Sequence, residues 1–283
     1  MNIQWFPGHM TKARRMITDN LKLIDAICEI IDARIPYSSR NPDLDEMTSG
    51  KPRIIILNRT DQADPVSTKK WAAHLKKSGA AVIETDSKSG KGVNGLNPAV
   101  KKLLSNKIDQ YISKGQSGRQ LRLMIVGIPN VGKSSFINRA AMRKAALTSD
   151  RPGVTKGKQW INIGNGLEML DTPGVLWPKF EDEIVAENLA FTGAIRDAII
   201  DTETLGANLL IRLSEMYPDR IKERYNTDPE QVKTGFDLLE QAARKRGFLL
   251  QGGRYDTERM AIILLDEFRG GKLGRITLEN ADD

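Results

Sequence analysis

The sequence predicts an α/β fold with a doubly wound, mostly parallel sheet, followed by a smaller all-helical domain. Two observations support this prediction. Up to Pro178, short apolar runs alternate with helical stretches, as strands and crossover helices do in an open parallel sheet. Beyond Pro178 the alternation stops and only helical periodicity continues. We therefore predict a sheet-containing domain at residues 1–178 and a helical domain at residues 179–283.

The predicted elements follow this alternation along the chain. A basic amphipathic helix from His9 to Leu23 precedes the first strand. The predicted strands are Ala26–Ile31, Arg53–Leu57, Ala81–Thr85 and Leu121–Val126, and then a hairpin of Trp160–Ile163 and Leu167–Leu170. The helices between them are Pro42–Thr48, Pro65–Ser78, Val93–Tyr111 and one that starts at Lys133. The second domain has four predicted helices, Glu183–Leu189, Glu203–Met216, Pro229–Lys245 and Asp256–Phe268.

The composition favours a folded protein that does not enter a membrane. Hydrophobic residues make up 40% and charged residues 28% of the chain, which is typical of a globular protein. No apolar run approaches the roughly 20 residues that a membrane helix needs, so we predict a cytoplasmic location. The single cysteine, Cys28, lies in an apolar stretch and is interpreted as a buried, inert thiol.

A phosphate-binding loop is predicted directly after the strand that ends at Val126. The segment Gly127-Ile128-Pro129-Asn130-Val131-Gly132-Lys133-Ser134 has two glycines that bracket four residues and are followed by Lys and Ser. Backbone N–H groups of such a loop point at the phosphates, Lys133 bridges the β- and γ-phosphates, and the Ser134 hydroxyl binds Mg²⁺. The residues assigned here to nucleotide binding are Pro129, Asn130, Val131, Gly132, Lys133, Ser134 and Ser135.

Two further segments complete the predicted phosphate and metal site. Asp171-Thr172-Pro173-Gly174 ends a strand, where Asp171 can hold Mg²⁺ through water and the Gly174 amide can bond the γ-phosphate. Thr155, in a basic segment, is the candidate for a second Mg²⁺-binding hydroxyl, with a plain surface loop as the alternative. We count Lys133, Thr155 and Gly174 among the predicted catalytic residues.

The predicted guanine motif, Asn58-Arg59-Thr60-Asp61, lies much earlier and directly follows a strand. The Asp61 carboxylate can accept two hydrogen bonds from the guanine edge, whereas adenine would leave it unpaired. Such polar pairing can discriminate on the order of 10⁴-fold. Arg59 stands where this motif usually has Lys, which changes the shape of the cationic group but preserves its charge. Asp86, Ser87 and Lys88, after the next strand, match the loop that closes over the base.

These motifs occur in a circularly permuted order. The guanine motif comes first, and the phosphate loop, the Thr155 segment and Asp171–Gly174 follow it, whereas an ordinary GTPase begins with the phosphate loop. Both orders can build one sheet, because the ends of such a domain lie close enough to be joined. The sequence therefore predicts a circularly permuted fold of the P-loop GTPase type.

The permuted order, the opening Trp5-Phe6-Pro7-Gly8-His9-Met10 and the run from Asp171 to Pro178 together resemble the ribosome biogenesis GTPase A family of bacteria. The resemblance covers nearly the whole chain. It implies a GTP hydrolase that binds the precursor of the large ribosomal subunit, contacts its rRNA, and leaves after hydrolysis at a late assembly step. It implies no stable protein partner outside the ribosome.

Two residues bear on how hydrolysis is driven. Val175 occupies the position where many GTPases have a glutamine that orients the attacking water. His9 is the candidate replacement, and a helix-start or RNA-contacting role is the alternative. We also predict slow intrinsic turnover that ribosomal particles stimulate. Asn130 resembles a position that binds a monovalent cation in some GTPases, so potassium dependence is a hypothesis, which equal activity in sodium would contradict.

The basic residues are concentrated in the first domain. Up to Phe180 there are 29 Lys and Arg against 15 Asp and Glu, and after it 14 against 21. A basic surface favours a polyanionic partner such as RNA. The candidate RNA contacts are Lys12, Arg14, Arg15, Lys101, Lys102, Lys107, Arg244, Lys245 and Arg246. Each cluster could instead be an ordinary solvated helix face.

Two rival functions remain open from the sequence. One is a regulatory or RNA-modification GTPase that does not need the ribosome. The other is a binding module in which GTP only stabilises an RNA-docking shape.

Overall fold

A computed structural model describes residues 8–145, 160–227 and 234–282. Their centre is a six-stranded sheet of order β3-β2-β1-β4-β6-β5, in which only β5 is antiparallel to its neighbour. The strands are β1 (Ala26–Asp32), β2 (Arg53–Asn58), β3 (Ala81–Glu84), β4 (Leu121–Val126), β5 (Trp160–Gly164) and β6 (Leu167–Asp171). The α/β class and the mostly parallel sheet are confirmed.

Helices surround the sheet and make up the C-terminal part of the chain. Those of the first part are α1 (Gly8–Asn20), α2 (Pro42–Met47), α3 (Pro65–Lys77), α4 (Leu96–Leu103), α5 (Ser105–Ser113) and α6 (Lys133–Ala145). Those of the second part are α7 (Glu183–Phe191), α8 (Thr202–Met216), α9 (Pro218–Tyr225), α10 (Gly235–Arg246) and α11 (Thr257–Arg269). Short 3₁₀ turns occur at Leu21–Leu23, Val93–Gly95 and Asp197–Ile199.

The structure corrects two of the predicted helices and adds one. The single helix expected over Val93–Tyr111 is a 3₁₀ turn followed by α4 and α5, because Leu104 between them leaves the helical range with φ −106° and ψ 18°. Helix α9 is absent from the sequence prediction, although Pro218 at its first turn and left-handed Asn226 at its end are standard boundary signals. Helix α10 begins at Gly235, where Thr234 and Asp237 form a capping box, and residues 228–233 lie outside the described residues.

The chain divides into two compact units. Phe180–Leu278 forms the helical unit, and the described residues up to Lys179 together with the tail from Glu279 form the sheet unit. The sequence prediction places the whole of 179–283 in the helical domain. The structure corrects this for the tail, which belongs to the sheet unit. The physical reason is a set of contacts that a helical pattern does not reveal.

The tail is attached to the loop after β1 and to α3. The Glu279 carboxylate accepts hydrogen bonds from the backbone N–H of Tyr37 at 2.6 Å and of Ser38 at 3.0 Å, and also from the Ser38 hydroxyl. The Glu279 carbonyl accepts from the Trp71 indole N–H at 3.0 Å. Ala281 packs on the cluster that contains Trp71. One carboxylate therefore fixes the loop that follows the central strand.

The sheet is covered on both faces, as a doubly wound fold requires. All seven residues of β1 are buried, which is typical of a central parallel strand with helices on either side. Ile17 of α1 and Leu44 of α2 pack on Ile27 and Met124 in one core cluster. Among the described residues, no helix is both long and apolar enough to cross a membrane.

The helical unit is built around α8, which packs against α10 and α11. Its Gly206 lies so close to Ala261 that an added Cβ would come within 2.5 Å of the Ala261 side chain. Glu267 on α11 accepts hydrogen bonds from Arg224, Tyr225 and Arg246. A buried carboxylate thus joins three helices of this unit.

We predict that Glu279→Ala destabilises the sheet unit. The substitution removes the acceptor for the backbone N–H groups of exposed Tyr37 and buried Ser38, and a buried donor such as that of Ser38 without a partner costs about 1–3 kcal/mol. Urea unfolding followed by tryptophan fluorescence measures the effect, because all four tryptophans precede Lys179. Lys70→Ala is the matched control, since it removes only the exposed tail contact between Lys70 and Asp282. Equal unfolding free energies for the two variants would contradict the prediction.

Candidate nucleotide-binding site

The predicted motifs meet at the carboxyl edge of the parallel strands. Asn58 ends β2, the loop with Thr85 and Asp86 follows β3, the phosphate loop follows β4, and Asp171 ends β6. Strand β1 pairs with both β2 and β4, which brings the guanine motif next to the phosphate loop despite their separation in the chain. This edge is where open α/β sheets bind their ligands.

The Asn58 side chain joins three of these loops. Its Nδ2 donates to the Val131 carbonyl of the phosphate loop at 2.8 Å. Its Oδ1 accepts from the Thr85 hydroxyl at 3.1 Å, and from the Ser87 hydroxyl at 2.7 Å and backbone N–H at 3.1 Å. Asn58 is buried, so these bonds form away from competing water. Both polar atoms of one amide are satisfied only when the three loops are in place.

Both glycines of the phosphate loop are required by the backbone. Gly127 has φ +149°, and an added Cβ would lie 2.5 Å from the Ile30 carbonyl. Gly132 has φ +97°, and its Cβ would lie 2.5 Å from the Asn58 amide nitrogen. Any side chain at Gly132 would therefore displace the group that joins the loops.

The loop after β3 contains a tight turn that is held by the side chain of Asp86. The Asp86 carboxylate accepts from the backbone N–H of Lys88 at 2.8 Å and of Ser89 at 3.2 Å. Burial acts to raise the pKa of Asp86, but the hydrogen bonds from Ser89 and Lys88 outweigh it and lower the pKa. Lys88 itself is exposed, and its carbonyl accepts from Arg139 on α6. The turn is thus connected to the helix that follows the phosphate loop.

Arg59 reaches from the guanine motif to the phosphate loop. Its guanidinium donates to the Asn130 carbonyl at 2.7 Å and lies 3.5 Å from the Asp32 carboxylate. The backbone of Arg59 is left-handed, with φ +62°, a conformation that non-glycine residues adopt in only a few per cent of cases. Asp61, two residues further on, is exposed at the same edge and is available to a ligand.

Lys133 is buried at the start of α6, with its ammonium group directed back at its own loop. Its Nζ donates to the carbonyls of Ile128 at 2.7 Å and Gly127 at 3.2 Å. Burial lowers the pKa of Lys133 to about 8, and the nearby Asp171 carboxylate opposes this shift only in part. A phosphate bound beside Lys133 would favour the charged form and raise this pKa.

Asp171 and Ser134 are suited to a divalent cation. Burial raises the pKa of Asp171, and Lys133 and a Ser134 hydrogen bond act against the shift. The Asp171 Oδ1 atom is buried without a hydrogen-bond partner. A buried carboxylate oxygen of this kind requires a cation or an ordered water, which fits Mg²⁺ beside an exposed Ser134 hydroxyl.

Gly174 and Val175 place the loop after β6 directly on the phosphate loop. An added Cβ at Gly174 would lie 2.5 Å from the Pro129 nitrogen, and the Val175 N–H donates to the Gly127 carbonyl at 3.2 Å. The Val175 side chain is buried in the core cluster with Ile17 and Leu44. Val175 is therefore a core residue.

The remaining predicted residues differ in how far the structure describes them. His9 lies in α1, but its side chain is outside the described part of the chain, and so is all of Thr155. Asn130 and Ser135 are exposed, Pro129 is half-buried and Val131 is buried. Cys28 is buried, which raises the pKa of its thiol to about 12 and agrees with an inert cysteine.

The candidate RNA contacts divide into exposed and paired side chains. Three of the basic side chains form ion pairs, which are Arg14 with Asp43 at 2.7 Å, Lys107 with Asp25 at 2.6 Å, and Arg246 with Glu267 at 3.2 Å. The others are exposed, namely Lys12, Arg15, Lys101, Lys102, Arg244 and Lys245. The exposed group is the better placed to meet phosphates.

Sequence reasoning missed three residues that support the site. Asp32 and Arg34 form a buried pair at the end of β1, beside Arg59. The Asn41 side chain donates to the Val175 carbonyl at 2.8 Å. Of the three, only Asn41 could be recognised from its local sequence, because Asn before Pro42 is a typical helix N-cap. Its contact with Val175, 134 positions away, has no signal in the local sequence.

We predict that guanosine diphosphate binding weakens as the pH rises above 8. Phosphate binding needs the charged form of Lys133, so above its pKa of about 8 the neutral amine must take up a proton, which costs at most about tenfold in affinity per pH unit. Titrations with fluorescent GDP between pH 7 and 9 measure this slope. Lys133→Met should bind more weakly at pH 7 and lose the slope, and parallel curves for the two proteins would disprove the assignment.

Comparison with known proteins identifies the family. A family model described as 50S ribosome-binding GTPase matches residues 122–224. The match starts in β4 and leaves the guanine motif upstream, as expected for a permuted chain. The chain is 47% identical to ribosome biogenesis GTPase A of Bacillus cereus, covering 100% of this chain and 95% of the relative. It is 48% identical to the protein of that name from Priestia megaterium, covering 100% and 98%.

A solved structure extends the similarity to three dimensions. The crystal structure of GNP-bound YlqF from T. maritima has a TM-score of 0.66 and 32% sequence identity, and the match covers 96% of this chain and 99% of that one. Because similarity in sequence and in fold spans the whole chain, the protein belongs to the ribosome biogenesis GTPase A family and is a guanine-nucleotide-binding GTP hydrolase with a circularly permuted P-loop fold.

Proposed function

We propose that this GTPase binds the immature large ribosomal subunit and its rRNA, and uses GTP hydrolysis to trigger its release at a late assembly step. The observation that carries the proposal is the Asn58 amide, which ties the guanine motif, the base-closing loop and the phosphate loop into one site. A switch of this kind needs all three loops to respond to one nucleotide. The names of the relatives that match the whole chain supply the ribosome as the place of action, and we infer a cytoplasmic location from it.

Guanine selection is assigned to the carboxyl edge of β2 and β3. The exposed Asp61 carboxylate accepts the two donors of the guanine edge, and the loop of Asp86, Ser87 and Lys88 closes over the base. Arg59 covers the base with its stem while its head group is held at the Asn130 carbonyl. Asn58 binds no base atom in this proposal, since its polar atoms are used by the protein.

Phosphate binding is assigned to the phosphate loop and the first turn of α6, which includes Ser134 and Ser135. Lys133 leaves the carbonyls of Gly127 and Ile128 and takes the β- and γ-phosphates, and the Gly174 amide senses the γ-phosphate. Ser134 and Thr155 would hold Mg²⁺, and Asp171 would support it through a water molecule; a bound Mg²⁺ would supply positive charge that offsets the charge on the phosphates. Asn130 is the candidate residue for a potassium ion.

The conformational response to GTP hydrolysis is assigned to the segment that joins the two units. Loss of the γ-phosphate releases contacts at Gly174, and the chain runs from there through Leu176 to Phe180, where the helical unit begins. The exposed cations Lys12, Arg15, Lys101, Lys102, Arg244 and Lys245 are the proposed rRNA contacts. A regulatory or RNA-modification GTPase that acts away from the ribosome would need no such nucleotide-dependent affinity for subunits.

We predict that the protein co-sediments with precursors of the large subunit when it holds a non-hydrolysable GTP analogue, and much less when it holds GDP. The γ-phosphate orders the loops that determine whether the protein binds the subunit precursor. Sucrose-gradient sedimentation measures the bound fraction. Asp61→Asn, which loses guanine pairing, is the control and should not respond to the analogue. Binding that is equal in both nucleotide states would contradict the release mechanism and favour a plain binding module.

We also predict that His9→Ala lowers particle-stimulated turnover while leaving nucleotide affinity unchanged. Because Val175 is buried in the core, the water must be oriented by another group, and contributions completed by a partner can reach about 10³- to 10⁵-fold. Phosphate release with and without ribosomal particles measures the effect. His74→Ala is the matched control, since His74 lies on the exposed face of α3. Unchanged stimulated turnover in His9→Ala would remove His9 from the catalytic residues.

A further inference from the structure

The end of β1 carries a buried ion pair that none of the nucleotide motifs contains. Asp32 and Arg34 are 2% and 1% exposed. The guanidinium of Arg34 grips both carboxylate oxygens, with Nε at 3.0 Å from Oδ1 and Nη2 at 2.7 Å from Oδ2. The Arg34 backbone N–H adds a third bond to Oδ1 at 3.0 Å. This is the planar two-oxygen geometry that only arginine provides.

A second guanidinium, that of Arg59, lies against the same carboxylate. Its Nε is 3.5 Å from Asp32 Oδ2, and its Nη2 donates to the Asn130 carbonyl of the phosphate loop at 2.7 Å. Burial lowers the pKa of Arg59, the Asp32 charge opposes this shift, and repulsion by Arg34 adds to it. Asp32 is thus the counter-ion that allows two guanidinium groups to lie close together.

The backbone of the same residues fixes the direction of Arg59. The Ala33 N–H donates to the Asn58 carbonyl at 2.9 Å, which extends the pairing of β1 with β2 to the residue before Arg59. Arg59 then turns into the left-handed region, with φ +62°. Its side chain leaves the strand toward the phosphate loop, past Asp32.

We propose that Asp32 and Arg34 are positioning residues of the nucleotide site, which hold the Arg59 guanidinium against the Asn130 carbonyl. In this way they fix the position of the guanine motif relative to the phosphate loop. The inference rests on the proposed assignment of Asn58–Asp61 and the phosphate loop to GTP. Neither Asp32 nor Arg34 touches the nucleotide in this arrangement. Their effect on nucleotide binding is transmitted through the Arg59 side chain. A substitution of Arg59 can therefore separate this effect from a general loss of stability.

The same strand supplies a matched control. Glu29 is 1% exposed and is also paired with two arginines, Arg53 at 2.7 Å and Arg40 at 3.4 Å. Neither arginine belongs to a nucleotide motif. Glu29→Gln and Asp32→Asn therefore both remove a buried negative charge from β1, but only Asp32→Asn releases Arg59. A merely structural role for Asp32 predicts the same behaviour for both variants.

The test is a double-mutant cycle on the full chain, read out as the dissociation constant of fluorescent GDP. We expect Asp32→Asn to weaken binding about tenfold, within the range of coupling between residues in direct contact. Glu29→Gln should bind within about twofold of the unsubstituted protein, even where urea unfolding records a loss of stability. In the Arg59→Ala background, Asp32→Asn should cause no further loss of affinity.

Three results would overturn the inference. They are unchanged affinity in Asp32→Asn, equal losses in Asp32→Asn and Glu29→Gln, and additive losses in Asp32→Asn with Arg59→Ala. If Asp32→Asn does not fold, Arg34→Lys serves in the same cycle, because lysine keeps the charge but cannot grip both oxygens. It should weaken binding in the presence of Arg59 and not in its absence. Asp61→Asn distinguishes failure of this inference from failure of the proposed function. Normal GDP affinity in Asp61→Asn would refute the assignment of Asn58–Asp61 to guanine binding.

Discussion

The nucleotide site depends on one buried amide, the side chain of Asn58. It donates to the phosphate loop and accepts from the loop after β3, so it joins segments that the permuted chain keeps far apart. A buried amide with an unpaired donor or acceptor costs about 1–3 kcal/mol per group. The conformation of each loop is therefore stabilised by the presence of the other two. This explains how a chain with reordered motifs can still form a single site.

Permutation also changes what the loop after β6 is connected to. Gly174 and the backbone of Val175 contact the phosphate loop, while the Val175 side chain belongs to the core beneath α1 and α2. Asn41 holds the Val175 carbonyl, and Glu279 holds Tyr37 and Ser38 in the same segment after β1. The loop after β1 is thus bonded both to the loop after β6 and to the C-terminal tail.

Charge is used differently in different parts of the molecule. Near the nucleotide motifs, buried carboxylates such as Asp32 hold guanidinium groups in fixed directions, and Asp171 keeps one oxygen without a protein partner. In the helical unit, Glu267 forms ion pairs with Arg224 and Arg246 and so holds neighbouring helices together. Arg246 is therefore partly committed to structure, whereas the adjacent Arg244 and Lys245 are exposed. A basic cluster in the sequence thus combines side chains with different tasks.

The sequence by itself determined the sheet class, the order of the strands along the chain and the identity of the nucleotide motifs, because apolar periodicity and glycine spacing are local properties of the backbone. It located all six strands to within a residue or so of their ends. Only the tertiary structure decided that Asn58 faces the phosphate loop, that Asp32 and Arg34 stand behind Arg59, and that the tail returns to α3. Those contacts join residues many positions apart, and nothing in their local sequence records which distant group each side chain will meet.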